Sequence, residues 1–238
     1  MGKISIINKN LDEASKEFLS GFGFTPFSLQ EAKYLDFPLS SHPDMLMFMG
    51  FDTLFCHEKY YRENTERIDR ILKLTKYSLC VTDEYTDNTY PHDVLFNAAL
   101  VGKYLICNTR HVSEKILEAA GFAGKEIIHV PQGYTKCSVC KISENALITS
   151  DVSVYKAVLQ RGIEALLISA GSIELEGFEY GFIGGTSGQY GDKVFFCGDI
   201  SLHPDYASIK SFCEKHGKAT VSLSKKPLRD TGSIFFID

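Results

Sequence analysis

The chain has 238 residues, 44% of them apolar and 23% charged, with a formal net charge of −5. That balance excludes wholesale disorder and leaves room for a substantial core, and an acidic surplus without any long Lys/Arg block excludes binding driven by nucleic-acid phosphates. The longest apolar runs, 45–50 and 165–170, are far short of the roughly 20 residues that cross a bilayer. The first residues lack the apolar centre of a signal peptide. The seven cysteines, an odd number scattered through apolar segments, read as reduced thiols of a cytoplasmic protein.

In chain order, 4–8 has strand character. Residues 11–19 space their apolar positions as a helix with Asn8 or Asn10 as cap, and 22–29 is a second strand. The pattern then recurs with one strand added in front. Strands at 44–50 and 53–58 precede a helix at 61–74 and a strand at 77–83. Strands at 93–100 and 104–109 precede a helix at 111–120, started by Thr109 or Ser113, and a strand at 126–132. The next set is 137–143, 146–150, helix 151–160 and 164–170. The last is 181–188, 193–199, a helix at 204–215 with Pro204 in its first turn, and 218–224. Residues 232–238 remain as one spare strand. Gly21, Gly121, Gly162 and Gly217 lie at or just past four helix ends.

These are five strand–strand–helix–strand units of about 48 residues each, a period suited to radial repeats. The fifth is divided between the two ends of the chain. A ring closes without an open edge when the two ends pair, so the strand near Ile4–Asn8 should pair with that near Ser233–Ile237. The expected fold is a five-bladed α/β propeller forming one domain over residues 1–238.

The starts of the first strands would ring the axis, and they are polar. They read His42-Pro43-Asp44, Pro91-His92-Asp93, Tyr134-Thr135-Lys136-Cys137, Gly184-Gly185-Thr186-Ser187 and Arg229-Asp230-Thr231-Gly232. Cys137 and Cys140 form a CxxC, but residues i and i+3 of a strand point to opposite faces, which speaks against a zinc or redox pair. The glycines of 181–188 match no phosphate loop; they let backbone or a ligand approach the axis.

This arrangement resembles the pentein fold of the guanidine-modifying superfamily, which includes arginine and agmatine deiminases, dimethylarginine hydrolases, amidinotransferases and non-catalytic members. The chain looks most like bacterial members to which no activity is assigned. In the hydrolytic members a His-x-Asp opens one unit, a Cys nucleophile opens the unit two further round, and a carboxylate opens the unit before the His. The resemblance implies that His42, Asp44, Cys137 and Asp230 are the catalytic set, in the right cyclic order. The starting point is rotated, because the family carries its Cys in the last unit, and an Asp stands where the enzymes have Glu. Cys137 would attack the substrate carbon, and His42 would protonate the leaving amine and then activate water. Asp44 or Asp230 would hold the cation. His92, Asp93, Lys136, Gly185, Ser187 and Arg229 would contact substrate. Lys136 and the two His-bearing rims are expected to favour the thiolate.

The implied function is hydrolysis or group transfer on a guanidino or amide-like small molecule. No cofactor and no metal is called for. The expected partner is a small-molecule substrate or ligand in an axial pocket, neither nucleic acid nor membrane, and a homodimer is compatible with the fold. The competing reading is a non-catalytic pentein that binds a metabolite or a macromolecular partner. Cys137 and the His rings lining one pocket would favour the enzyme; separation by core packing would favour the binding module.

Overall fold

In a computed structural model, which describes residues 3–237, the chain forms five three-stranded sheets. β1 (Lys3–Asn8), α1 (Glu13–Gly21) and β2 (Phe24–Leu29) come first. A short α2 (Pro43–Leu46) leads into β3 (Met47–Gly50), β4 (Thr53–His57), α3 (Glu58–Glu63), α4 (Thr65–Leu74) and β5 (Ser78–Thr82). β6 (Ala99–Val101), β7 (Tyr104–Cys107), α5 (Glu114–Phe122) and β8 (Glu126–His129) follow. The fourth set is α6 (Thr135–Ser138), β9 (Cys140–Ser143), β10 (Ala146–Thr149), α7 (Val152–Leu159) and β11 (Glu164–Leu167). The last is β12 (Ser187–Tyr190), β13 (Lys193–Phe196), α8 (Tyr206–Lys215) and β14 (Ala219–Ser222), and β15 (Phe235–Ile237) remains.

Every sheet has the same order. The middle strand runs antiparallel to the first and parallel to the third. Parallel neighbours need a long crossover, and a helix supplies it in each unit. The middle strands are near-continuous apolar runs because both faces are covered: Leu54–Cys56, Leu105–Cys107, Leu147–Ile148 and Val194–Phe196 are all buried. The N-terminal β1 pairs antiparallel with β15, in the register Ile4↔Ile237, Ser5↔Phe236 and Ile6↔Phe235. The divided fifth unit therefore closes as expected; Asp238 lies outside the described residues.

The first strands differ from expectation. Strand 44–50 begins only at Met47, 93–100 at Ala99, 137–143 at Cys140, 181–188 at Ser187 and 232–238 at Phe235. A tight turn precedes four of them. His42 O accepts from the amides of Met45 and Leu46, and the Asn97 amide donates to Val94 O. The Ser138 amide donates to Tyr134 O, and that of Thr186 to Phe182 O. Pro43, with its φ fixed in the helical range, starts the first of these turns. Cys137 thus sits on a helical turn and Cys140 on a strand, and the strand-face argument about their spacing does not apply. Short apolar runs carry no periodicity long enough to tell strand from turn.

Helix ends differ too. Asp12, not Asn8 or Asn10, caps α1, its carboxylate accepting from the Ser15 amide at 3.0 Å. The helix expected at 61–74 breaks at Asn64 into α3 and α4. Ser113 occupies the N-cap position of α5, but the capping acceptor is Glu84 of the preceding unit. Its carboxylate accepts from the Glu114 amide at 2.8 Å and from the Ser113 hydroxyl. Among the described residues no helix is long and apolar enough to cross a membrane.

Candidate functional site

The turns before the first strands carry their polar side chains inward to one cluster. Cys137, on α6, donates its thiol to Asp44 Oδ2 at 3.3 Å. Asn97, from the turn before β6, holds the thiol from the other side, Nδ2 donating to Sγ at 3.1 Å. The same Asn97 fixes the turn itself. Its Oδ1 accepts from the amides of Lys136 at 2.6 Å and Cys137 at 3.2 Å, and its Nδ2 also reaches Asp44 O at 3.2 Å. Sequence reasoning missed Asn97; the signal was a single amide inside an otherwise apolar run.

Asp44 Oδ2 accepts a second hydrogen bond, from the Ser233 hydroxyl at 2.7 Å, and Lys136 Nζ donates to that hydroxyl at 2.8 Å. Ser233 is fully buried with φ of 72°, a left-handed conformation that costs a non-glycine residue about 1–2 kcal/mol. Asp230 Oδ2 accepts from the Phe182 amide at 2.9 Å and Oδ1 from the Gly232 amide at 3.0 Å. His42 Nδ1 stands 3.8 Å from Asp230 Oδ1 and has no hydrogen-bond partner among the described residues. Two glycines make this approach feasible. A Cβ on Gly185 would lie 2.0 Å from Asp230 Oδ1, and one on Gly232, where φ is +77°, would lie 2.2 Å from His42 Cβ.

His42, Cys137 and Asp230 line one cavity of about 240 Å³, walled by Leu39, Tyr134, Leu175, Phe178, Glu179, Tyr180 and Phe182. Asp44 touches it through the Cys137 sulfur. Asp93 is buried and reaches the wall only by accepting from the Tyr134 hydroxyl at 2.6 Å. His92, its neighbour, is exposed and packs edge-on against Tyr85. In a tight turn, consecutive side chains point different ways. Lys136 and Ser187 line a different cavity, with Gln189 and Phe235. Arg229 lines a third, beside Asp12 and Lys226, and pairs with Glu176 at 3.2 Å. Gly185 contributes close packing under Asp230 and accepts from the amides of Thr231 and Ser233.

The electrostatics reverse the expectation for the thiol. Burial, then the charges of Asp44 and Asp230, push Cys137 well above the ordinary thiol range. No imidazolium offsets them, because burial holds His42 down to about 4, with Arg229 adding to the effect and Asp44 opposing it. Burial and the neighbouring Asp44 raise Asp230 to about 7. The resting site therefore favours a thiol, a neutral imidazole and a carboxyl raised far above the ordinary carboxylate range.

No curated protein sequence matches the chain. Solved structures do match its fold. A DDAH of Pseudomonas aeruginosa complexed with citrulline superposes with a TM-score of 0.61 at 11% identity, covering 94% of this chain and 93% of that one. An agmatine deiminase of C. jejuni gives 0.52 at 10% identity, with coverage of 92% and 75%. The inosamine-phosphate amidinotransferase of Streptomyces griseus gives 0.55 at 12%, with 94% and 77%. Five strand–strand–helix–strand blades closed by the terminal strands are the pentein fold, and the chain, matched over residues 6–235, belongs to the family of unknown function DUF6873.

Proposed function

We propose that this protein is a cofactor-free hydrolase or group transferase that acts on a guanidino or amide-like small molecule, with Cys137 as nucleophile. The observation that carries this reading is the meeting of His42, Cys137 and Asp230, from three separate units, in one aromatic-walled cavity. A guanidinium bound there would place positive charge against Asp230 and Asp44. That charge offsets the two carboxylates that hold the thiol up, so the substrate itself would favour the thiolate.

In the step, the Cys137 sulfur bonds to the guanidinium carbon while the thiol proton passes to the neutral His42 ring. The imidazolium gives that proton to the leaving amine as its C–N bond breaks. His42, neutral again, takes a proton from water or an acceptor amine attacking the S-linked adduct, and as the C–S bond breaks the imidazolium returns that proton to the departing sulfur, restoring the thiol. Asn97, bonded to the sulfur and to two amides of α6, would hold the nucleophile in line.

The test uses chloroacetamidine, an amidinium whose chloride a thiolate displaces. It should label Cys137 faster than it labels the buried Cys56 and Cys107, whose thiols burial pushes up to about 12. Cys137→Ala should lose that label and lower any amine release from guanidines by at least about 10³-fold. Equal labelling of all three cysteines by mass spectrometry would remove the nucleophile. The raised thiol favours a second reading, a non-catalytic pentein holding a metabolite; saturable guanidine binding without amine release would select it.

A further inference from the structure

The cavity has a floor and a rim with different chemistry. His42, Cys137 and Asp230 are at most 3% exposed and form the floor. The segment 175–182 brings Phe178, Glu179, Tyr180 and Phe182 to the lining. Phe178 is 50% and Tyr180 36% exposed, which places this segment at the rim. The rings are ordered against one another. Phe182 stacks on Tyr134 at 6.2 Å and 27°, and Tyr180 meets Phe182 edge-on at 6.4 Å. Such faces attract cations and cover methylene chains.

The carboxyl groups on and just behind this lining have no basic counterpart on it. Asp230 lies at the floor, Asp44 directly behind the Cys137 sulfur, and Glu179 at the rim. Among the described lining residues there is no Lys or Arg. The cations nearby lie off the lining, although the charge of Arg229 reaches His42 and that of Lys136 reaches Asp230. Arg229 pairs with Glu176, and Lys136 Nζ donates to Ser233. A carboxylate entering this cavity would meet three carboxyl groups and no cation within hydrogen-bonding reach on the lining, and leaving a charge desolvated and unpaired costs several kcal/mol. A second cation on the ligand would meet Glu179. The volume, about 240 Å³, lies below the roughly 300–1,000 Å³ of pockets for larger ligands.

We propose that the cavity selects a compact guanidine or amidine that carries a second cationic group and no carboxylate, with Glu179 holding the distal cation, and that it rejects α-amino acids. This selectivity rests on the reading of the Cys137 floor as the guanidinium site. It makes Glu179 a specificity-determining residue, and it narrows the substrate class to basic amines bearing a guanidino or amidino group.

The experiment is protection of Cys137 from chloroacetamidine, read at that cysteine by mass spectrometry. Three guanidines compete: agmatine, with a distal ammonium and no carboxylate; arginine, with both; and methylguanidine, with neither. Agmatine should protect at concentrations about 100-fold below arginine, the size expected for an uncompensated carboxylate. It should protect several-fold below methylguanidine, since a partly exposed pair contributes at most about a factor of five. Glu179→Gln, at an exposed position where folding is not at stake, should close the gap between agmatine and methylguanidine. Glu179→Lys should bring arginine level with agmatine or past it. Equal protection by arginine and agmatine in the wild type overturns the selectivity alone, as does a Glu179→Gln variant that keeps the agmatine advantage. Protection by none of the three overturns the guanidinium floor and the selectivity with it.

Discussion

Deleting residues 232–238 should leave the chain unable to fold. The loss would remove β15 from the open side of β1, where Phe235, Phe236 and Ile237 pair with Ile6, Ser5 and Ile4. It would also remove side chains from two cores. Ile237 belongs to the cluster around Ile4, Ile6 and Met47. Ile234 packs with Ile7, Leu19 and Phe195, and Phe236 meets the rings of Phe24 and Phe195 at 4.5 and 5.0 Å. Burying Ile234 and Ile237, and half-burying Phe235 and Phe236, contributes about 4 kcal/mol or more, a large share of the stability of an ordinary domain. The exposed β1 edge would then template aggregation. Circular dichroism and gel filtration of the truncated chain check this; a monomer with native secondary structure and a cooperative melt would refute ring closure as a condition of folding.

The second large effect is a dependence of stability on pH that the wild type conceals. Asp230 is raised from 3.8 to about 7 on folding, so between those values the native state holds a proton the unfolded chain has lost. Stability contributed there falls as pH rises. His42 is lowered from 6.5 to about 4, so over that interval the unfolded chain holds a proton the native state lacks, and stability rises with pH. Between pH 4 and 6.5 the two slopes oppose each other. Folding moves one proton from an imidazole to a carboxyl with little net uptake.

Substitution of either partner unmasks the other. Relative to wild type, Asp230→Asn should gain about 4 kcal/mol as pH rises from 4 to 7, whatever constant offset its lost amide contacts introduce. His42→Gln should lose about 3 kcal/mol relative to wild type between pH 4 and 6.5. Urea unfolding at a series of pH values reads both; curves that stay parallel to the wild type would mean that neither group is shifted.

The architecture was readable because the middle strands announce themselves. Runs such as 104–107 and 194–196 are apolar without alternation, which is what a strand covered on both faces must be. The crossover helices follow from their spacing, although the one expected at 61–74 is broken at Asn64. The turns at 43–46 and 135–138 were not readable, since four residues hold barely one helical period. Caps such as Glu84 on α5 were hidden because donor and acceptor lie 30 residues apart. Of the residues at the first-strand starts, the structure brings His42, Cys137 and Asp230 to one cavity and sets Asp44 behind the Cys137 sulfur. The charge around the thiol was misjudged because Lys136, adjacent in sequence, directs its ammonium to Ser233 and not to the cysteine. The aromatic rim was missed altogether, as 171–180 falls between the expected strands and carries no periodic pattern.

Closure by β1 and β15 also separates the order of the chain from the order of the chemistry. Once the two terminal strands are hydrogen-bonded neighbours, the place where synthesis starts has no counterpart in the assembled ring. A permuted chain, with its ends joined and reopened in the link between β11 and β12, would keep every sheet and return the same side chains to the axis while the cysteine's unit became the last in the polypeptide. Genes that divide such a ring at different links would encode inward-facing sets whose primary-structure order disagrees, though the residues occupy equivalent angles about the axis. For a closed propeller, alignment of linear motifs is the wrong comparison, and angular position is the right one.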